Sequence, residues 1–172
     1  MKRHRKRRFS PPFVRTGAVE ENPPPLRFTV RGQRVRFDEC DPLGIVWHGR
    51  FTSYFEDARV AHGRHYGIGY LDFRRHHVAT PIKQLYHEYL VPLKFDEEFS
   101  TEAILHWSEA ARLNYEFIVR NLAGDVVACG WSVQLMVNPE TFETLLVQPA
   151  FYRDFCHAWQ RGALQNHEAT GS

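Results

Sequence analysis

The spacing of apolar residues changes along this chain, and each change marks an element. From Leu26 the pattern is strand-like: Phe28, Val30, Val35 and Phe37 flank a predicted turn at Arg31-Gly32-Gln33. From Phe51 the spacing opens to threes and fours. Phe51, Tyr54, Phe55, Ala58, Ala61 and His65 then form one apolar face of a helix over roughly residues 48–66. A helix of about 18 residues is ~27 Å long, enough to lie across several strands. Gly67 and Gly69 close it, and a short irregular piece follows. Four runs rich in β-branched and aromatic residues come next, over 78–91, 99–107, 113–120 and 126–137. Asp96-Glu97-Glu98, Ser108 to Ala111 and Asn121 to Asp125 are suitable hairpin connections, so these four strands are predicted to form an antiparallel meander. Pro149 suits the first turn of a last helix, to residue 159. The predicted architecture is α+β: an antiparallel sheet of about five strands wrapped around one long central helix.

The ends differ from this body. Residues 1–25 combine Lys2, Arg3, Arg5, Lys6, Arg7 and Arg8 with five prolines and few aliphatic residues, a composition that does not offset the entropy of ordering. The expected organisation is a disordered basic and proline-rich tail over 1–25, one domain over 26–160 and a frayed C-terminal tail over 161–172. With 172 residues, 43% of them hydrophobic, the chain can build one full core. The formal net charge of +2 resides largely in the tail. That tail lacks the aromatic interleaving of a stacking single-strand binder, so nucleic acid is not the expected partner. No apolar run approaches the roughly 18 residues that span a bilayer, and no signal-peptide apolar region follows the basic start, so the expectation is a soluble, cytoplasmic protein. Cys40, Cys129 and Cys156 are odd in number and irregularly spaced, which argues for free thiols rather than a disulfide framework. His62 and His65 lie three apart, but no carboxylate or cysteine completes a zinc pattern, so no metal is expected.

Candidate chemistry concentrates in Phe37-Asp38-Glu39-Cys40-Asp41-Pro42-Leu43-Gly44-Ile45-Val46-Trp47-His48. Asp41 falls on a tight turn between the first strand and the long helix, near the free N–H groups and positive end of that helix. Such an end can hold a phosphate, a carboxylate or a carbonyl oxygen gaining charge in a transition state. A carboxylate beside an oxyanion site suits acyl transfer. Asp before Pro and Gly is equally a common turn former or helix cap, which is the structural alternative for Asp41. Cys40 has no basic partner to lower its pKa and reads as structural. Asp38 reads as the exposed end of a strand rather than half of a carboxylate dyad.

The segment from Asp38 to Trp47, followed by Phe55-Glu56-Asp57-Ala58-Arg59, resembles the 4-hydroxybenzoyl-CoA thioesterase family of hot-dog folds. Thr80-Pro81-Ile82 and Phe95 to Glu98 sit where that family has similar segments, and the resemblance covers residues 27–147. It implies a hot-dog domain that pairs with a second copy into one long sheet, as a homodimer or a homotetramer, with active sites at the subunit interface. It also implies hydrolysis of acyl-CoA without a cofactor, CoA being part of the substrate. Asp41 then matches the catalytic carboxylate, as nucleophile or general base, and the His48 N–H matches the donor that polarises the thioester carbonyl. Position 48 is tyrosine in the aromatic-substrate branch; histidine resembles the short-chain acyl-CoA thioesterases associated with the Tol-Pal system. Glu56 matches an acidic pocket residue that is aspartate in the aromatic branch. On the same resemblance Gly44, Val46 and Trp47 contact substrate, and Arg112 is the candidate for the CoA phosphates. The alternatives from other classes are a hot-dog dehydratase or hydratase using His48, and a non-catalytic acyl-thioester binding or regulatory module.

Overall fold

The computed structural model describes residues 11–14 and 22–164. The basic cluster from Lys2 to Arg8 and residues 165–172 of the expected C-terminal tail lie outside the described residues. Five strands form one antiparallel sheet: β1 (Leu26–Arg34), β2 (Ile82–Tyr89), β3 (Glu98–His106), β4 (Arg112–Asn121) and β5 (Val126–Leu135). Among the described residues three α-helices accompany it, α1 (Phe51–Tyr66), α2 (Tyr70–Arg75) and α3 (Ala150–Gln160).

The strand order is β1-β3-β4-β5-β2. The expected meander therefore holds for β3, β4 and β5, whereas β2 pairs with β5 and not with its sequence neighbour β3. The reason lies in β1, which occupies the free side of β3 from Leu26↔Leu105 to Arg34↔Glu98 and sends β2 to the far edge. The predicted turn at Arg31 to Gln33 is an irregularity inside one strand: the β1–β3 register shifts between Val30 and Gln33, and Gly32 takes a φ of 68° there. The piece after Gly69 is helical as α2, which was too short to show a period.

Helix α1 lies across one face of the sheet. Its apolar stripe begins as the pattern predicts, with Phe51, Tyr54, Phe55 and Ala58, but continues through His62 and Tyr66 rather than Ala61 and His65. His62 is fully buried because both ring nitrogens are satisfied, Nε2 donating to the Leu26 carbonyl at 3.1 Å and Nδ1 accepting from Tyr115 Oη at 3.1 Å. Burial lowers its pKa to about 3, which keeps the ring neutral. Phe55 stacks on Phe117 of β4, and Gly130 of β5 leaves the space: a Cβ there would lie 2.6 Å from the Phe55 ring and 2.2 Å from the Tyr86 carbonyl.

The opposite sheet face carries Tyr86 stacked on Trp131, and His106 hydrogen-bonded to Glu116 at 2.8 Å. Phe13 packs against His106 and Trp131 on this face. Pro149 precedes α3 as the sequence predicts, and Trp159 anchors that helix by donating from Nε1 to the Pro24 carbonyl at 2.8 Å.

Candidate active site

The turn carrying Asp41 is built before α1 begins. Residues Phe37–Glu39 form one 3-10 turn and His48–Arg50 a second, which leads into α1 at Phe51. Between them the chain reverses. Asp41 N–H donates to the Ile45 carbonyl at 2.9 Å, Gly44 N–H donates to the Asp41 carbonyl at 2.9 Å, and Gly44 adopts a φ of 73° that a side chain would strain. Asp41 Oδ1 accepts the Leu43 N–H at 2.8 Å, so the turn-forming alternative is present in the structure. One oxygen does that work, and Oδ2 remains for other chemistry.

Two fastenings tie this turn to the helix. Glu39 Oε2 accepts from the Arg36 N–H at 2.8 Å and from Tyr54 Oη, in the first turn of α1, at 2.9 Å. Arg50 donates to the carbonyl and to Oδ2 of Asp38, both at 3.4 Å, and Arg36 also pairs with Asp38. Asp38 is thereby an arginine-held carboxylate in the 3-10 turn, not the end of a strand. The Cys40 thiol donates to the Arg36 carbonyl at 3.7 Å; desolvation, then the charges of Asp41 and Glu39, raise its pKa and keep it protonated.

Asp41, Val46 and His48 line one cavity of about 320 Å³ together with Phe51, Tyr89 and the Leu90 to Leu93 segment. Val46 is buried and pinned by its N–H to the Leu93 carbonyl at 2.8 Å. His48 opens the 3-10 turn, so its N–H has no preceding helical carbonyl to meet and is available to a ligand oxygen. Tyr89 Oη donates to the His48 carbonyl at 3.1 Å, and its ring packs on Phe51. Tyr89 is in turn the last ring of a row, since His87 lies parallel to it and to Phe55.

The other sequence candidates lie elsewhere. Gly44 shapes the turn without lining the cavity. Trp47 is half exposed and lays its ring over Gly49, where an added Cβ would come within 2.2 Å of it. The Glu56 carboxylate is held by Arg59 through its Nε at 3.2 Å and a second, close contact from Nη2; it does not face the cavity. Arg59 also stacks on Tyr70, 3.6 Å from the ring centroid. Arg112 is the first residue of β4, where it bonds Ser108 Oγ and pairs with Leu135. Within one chain it is at the wrong end of the sheet for Asp41: β2 meets the cavity at Tyr89, which pairs with Ala128 and so aligns with Val119 of β4, roughly 23 Å from Arg112 along the strand. Sequence reading missed Glu39 and Tyr89, and gave Tyr54 only as an aromatic of the helix face, without its bond to Glu39. A Tyr two positions after a His on one strand face was the available clue for Tyr89.

Among the described residues no group of three or more His, Cys, Asp or Glu is arranged to hold a metal ion, and no helix is long and apolar enough to cross a membrane.

Residues 35–155 match the sequence model of the thioesterase-like superfamily. A curated relative in Bacillus subtilis, YneP, which carries the provisional name of an acyl-CoA thioesterase, is 28% identical over 121 residues, covering 68% of this chain and 85% of its own length. The acyl-CoA thioester hydrolase YbgC of Escherichia coli is 28% identical over 71 residues, 40% of this chain and 53% of that protein. Among solved structures, a DHNA-CoA thioesterase from Staphylococcus aureus superposes with a TM-score of 0.69 over 86% of this chain and 97% of its own, at 19% identity, a likeness of fold.

Proposed function

From the premise that this chain belongs to the thioesterase-like superfamily and has its hot-dog fold, we propose that it is an acyl-CoA thioesterase with Asp41 as its catalytic carboxylate and the His48 N–H as its oxyanion donor. The observation that carries this is the convergence of Asp41 and the start of the helix on one cavity. In the general-base route Asp41 takes a proton from water as its oxygen attacks the thioester carbonyl carbon; in the nucleophilic route an Asp41 oxygen attacks and water cleaves the resulting anhydride. In both, negative charge builds on the carbonyl oxygen, the carbon–sulfur bond breaks, and the CoA thiolate leaves and is protonated. A fixed N–H at His48 would stabilise that charge, and Tyr89 holds the next peptide unit by donating to the His48 carbonyl. On this reading the Asp41 carboxylate and the His48 main-chain N–H perform the chemistry, and the reaction requires no resident metal or prosthetic group.

We also infer a homodimer through β2. An unpaired edge strand is a template for pairing, and proteins that keep such edges free place charge along them. The β1 edge carries three exposed arginines, Arg27, Arg31 and Arg34; β2 exposes Ile82, Leu85 and Tyr89 beside a single exposed charge, Lys83. Pairing two β2 edges would cover these apolar side chains.

The test is hydrolysis of a panel of aryl-, short- and long-chain acyl-CoAs by the native protein and by Asp41→Asn, which removes the charge almost isosterically. The expected result is turnover by the native protein and a loss of two or more orders of magnitude in kcat in a variant that stays folded. Retained turnover in Asp41→Asn would refute the assignment. Binding of acyl-CoA with no turnover by either protein would favour a sensing module.

A further inference from the structure

The outer face of the sheet is covered, although α1, α2 and α3 all lie on the other side. Side chains alternate between the two faces of a strand. Tyr115 and Phe117 of β4 turn towards α1, where they meet His62 and Phe55. Glu116 and Ile118 therefore face outward, together with their cross-strand partners Ile104, Trp131 and Cys129. Helix α2 starts from Gly69, packed on Gly63 of α1, and α3 packs on α2 through Tyr152 and Phe73, so the helices share the inner layer. Yet on the outer face Ile104 is 0%, Cys129 2% and Glu116 5% exposed. A sheet face left to water alternates polar positions with the apolar ones beneath it. This face instead sets Ile104, Ile118, Trp131 and Tyr86 around the hydrogen-bonded His106 and Glu116, a composition that needs a cover.

The N-terminal part of the chain reaches this face. Within the segment whose composition predicts disorder, Pro11 to Val14 make a tight turn, closed by the Val14 N–H donating to the Pro11 carbonyl at 3.0 Å. Pro12 occupies the second position of that turn, where its fixed φ fits and reduces the entropy lost on ordering. Phe13 follows. Its ring lies 5.4 Å from His106 and 6.1 Å, edge-on, from Trp131 between centroids, and Pro11 is buried.

This contact bears on assembly. Trp131 and its stacking partner Tyr86 stand next to the β2 edge, so pairing of two β2 strands sets two outer faces side by side in one continuous sheet. Sheets that pack face to face stand about 10 Å apart, which leaves room for the side chains of both and none for a further stretch of backbone between them. Phe13 on Trp131 and a second sheet on Trp131 are mutually exclusive. We propose that Pro11 to Val14 form a cap held in cis on the outer sheet face, with Phe13 as its anchor, and that this cap stops assembly at the dimer by excluding a second dimer from that face. The occupant of the uncapped face is another copy of the same face, because its apolar centre is continuous across the β2 pairing. The proposal takes the dimer from that pairing and makes no use of the Asp41 chemistry.

Sedimentation of the full-length chain tests it, with circular dichroism to establish that each variant is folded. The native protein should sediment as a dimer. Phe13→Ala, which removes the anchor, should give a discrete species of about twice the native mass. Adding Trp131→Lys to Phe13→Ala places a charge where the second sheet would land and should return the mass to the native value. A native tetramer, an unchanged mass in folded Phe13→Ala, a doubled mass that survives Trp131→Lys, or polydisperse aggregate in place of one doubled species would overturn the proposal. A native monomer that becomes a dimer in Phe13→Ala would refute the β2 pairing and leave exclusion by the cap standing.

Discussion

Tyr54→Phe isolates the fastening of the Asp41 turn to the helix. Tyr54 is 3% exposed and its hydroxyl donates to Glu39 Oε2 at 2.9 Å, so the substitution removes one hydrogen bond to a charged acceptor and leaves the ring and its contact with Phe99 in place. Such bonds contribute about 1.5–3 kcal/mol net. Glu39 is only half-buried and keeps the Arg36 N–H, so water can replace part of the loss and about 1–2 kcal/mol is the fair expectation. In a chain of this size each kcal/mol lowers Tm by about 2–4 °C, which predicts a fall of about 2–8 °C in a thermal melt. Desolvation, the bond to Glu39 and the Glu39 charge all raise the Tyr54 pKa, so its hydroxyl stays protonated and the effect should not vary with pH near neutrality. Loosening the turn lets Asp41 drift from the His48 N–H, so kcat should fall by about tenfold with KM little changed, a barrier increase of ~1.4 kcal/mol. In the native background Glu39→Gln, which keeps an acceptor oxygen for the Tyr54 hydroxyl, should retain most of kcat. Unchanged Tm and kcat in Tyr54→Phe would show that the turn holds itself and that the helix contact is incidental.

Two further outcomes follow from the packing of α1. His62 has a folded pKa of about 3 against an ordinary 6.5, so below 6.5 the unfolded chain binds a proton that the folded one does not; native stability is full above 6.5 and declines as pH falls towards 3, by up to about 1.4 kcal/mol per pH unit. His62→Gln, which can satisfy both partners and does not titrate, should flatten chemical-denaturation stability in that window by about one proton; an unchanged slope refutes the buried neutral ring. Gly130→Ala places a methyl 2.2 Å from the Tyr86 carbonyl and 2.6 Å from Phe55, both firmly held, so it should cost about 1–3 kcal/mol in urea unfolding and disturb the β2 edge; a neutral result would mean that the sheet yields there.

The long helix was legible along the chain because it buries one face, and a buried face imprints its period on the residues; the strands were legible as runs of β-branched and aromatic residues, β4 being buried on both faces. Phe51, Tyr54, Phe55 and Ala58 carry the period of α1, and the turn from Asp41 to Gly44 follows from residues that favour tight reversal and positive φ. The resemblance pointed to the family for a related reason: its motif, Asp38 to Trp47, runs over consecutive residues. Strand order carries no such imprint. Nothing local to β2 says that β1 occupies the side of β3 it would otherwise take, and only the closed set of pairings sends β2 to the far edge. Burial of His62 likewise depends on Leu26 and Tyr115, which are distant in sequence and satisfy both ring nitrogens. Arg112 shows the limit most plainly. Its residue type suits a phosphate, but its distance from Asp41 was fixed by the sheet, because strand length along a register is a tertiary quantity. Sequence by itself determined which segments fold and which turn holds a carboxylate; tertiary structure decided which residues meet, because hydrogen-bond pairing and core packing join positions that have no local reason to be neighbours.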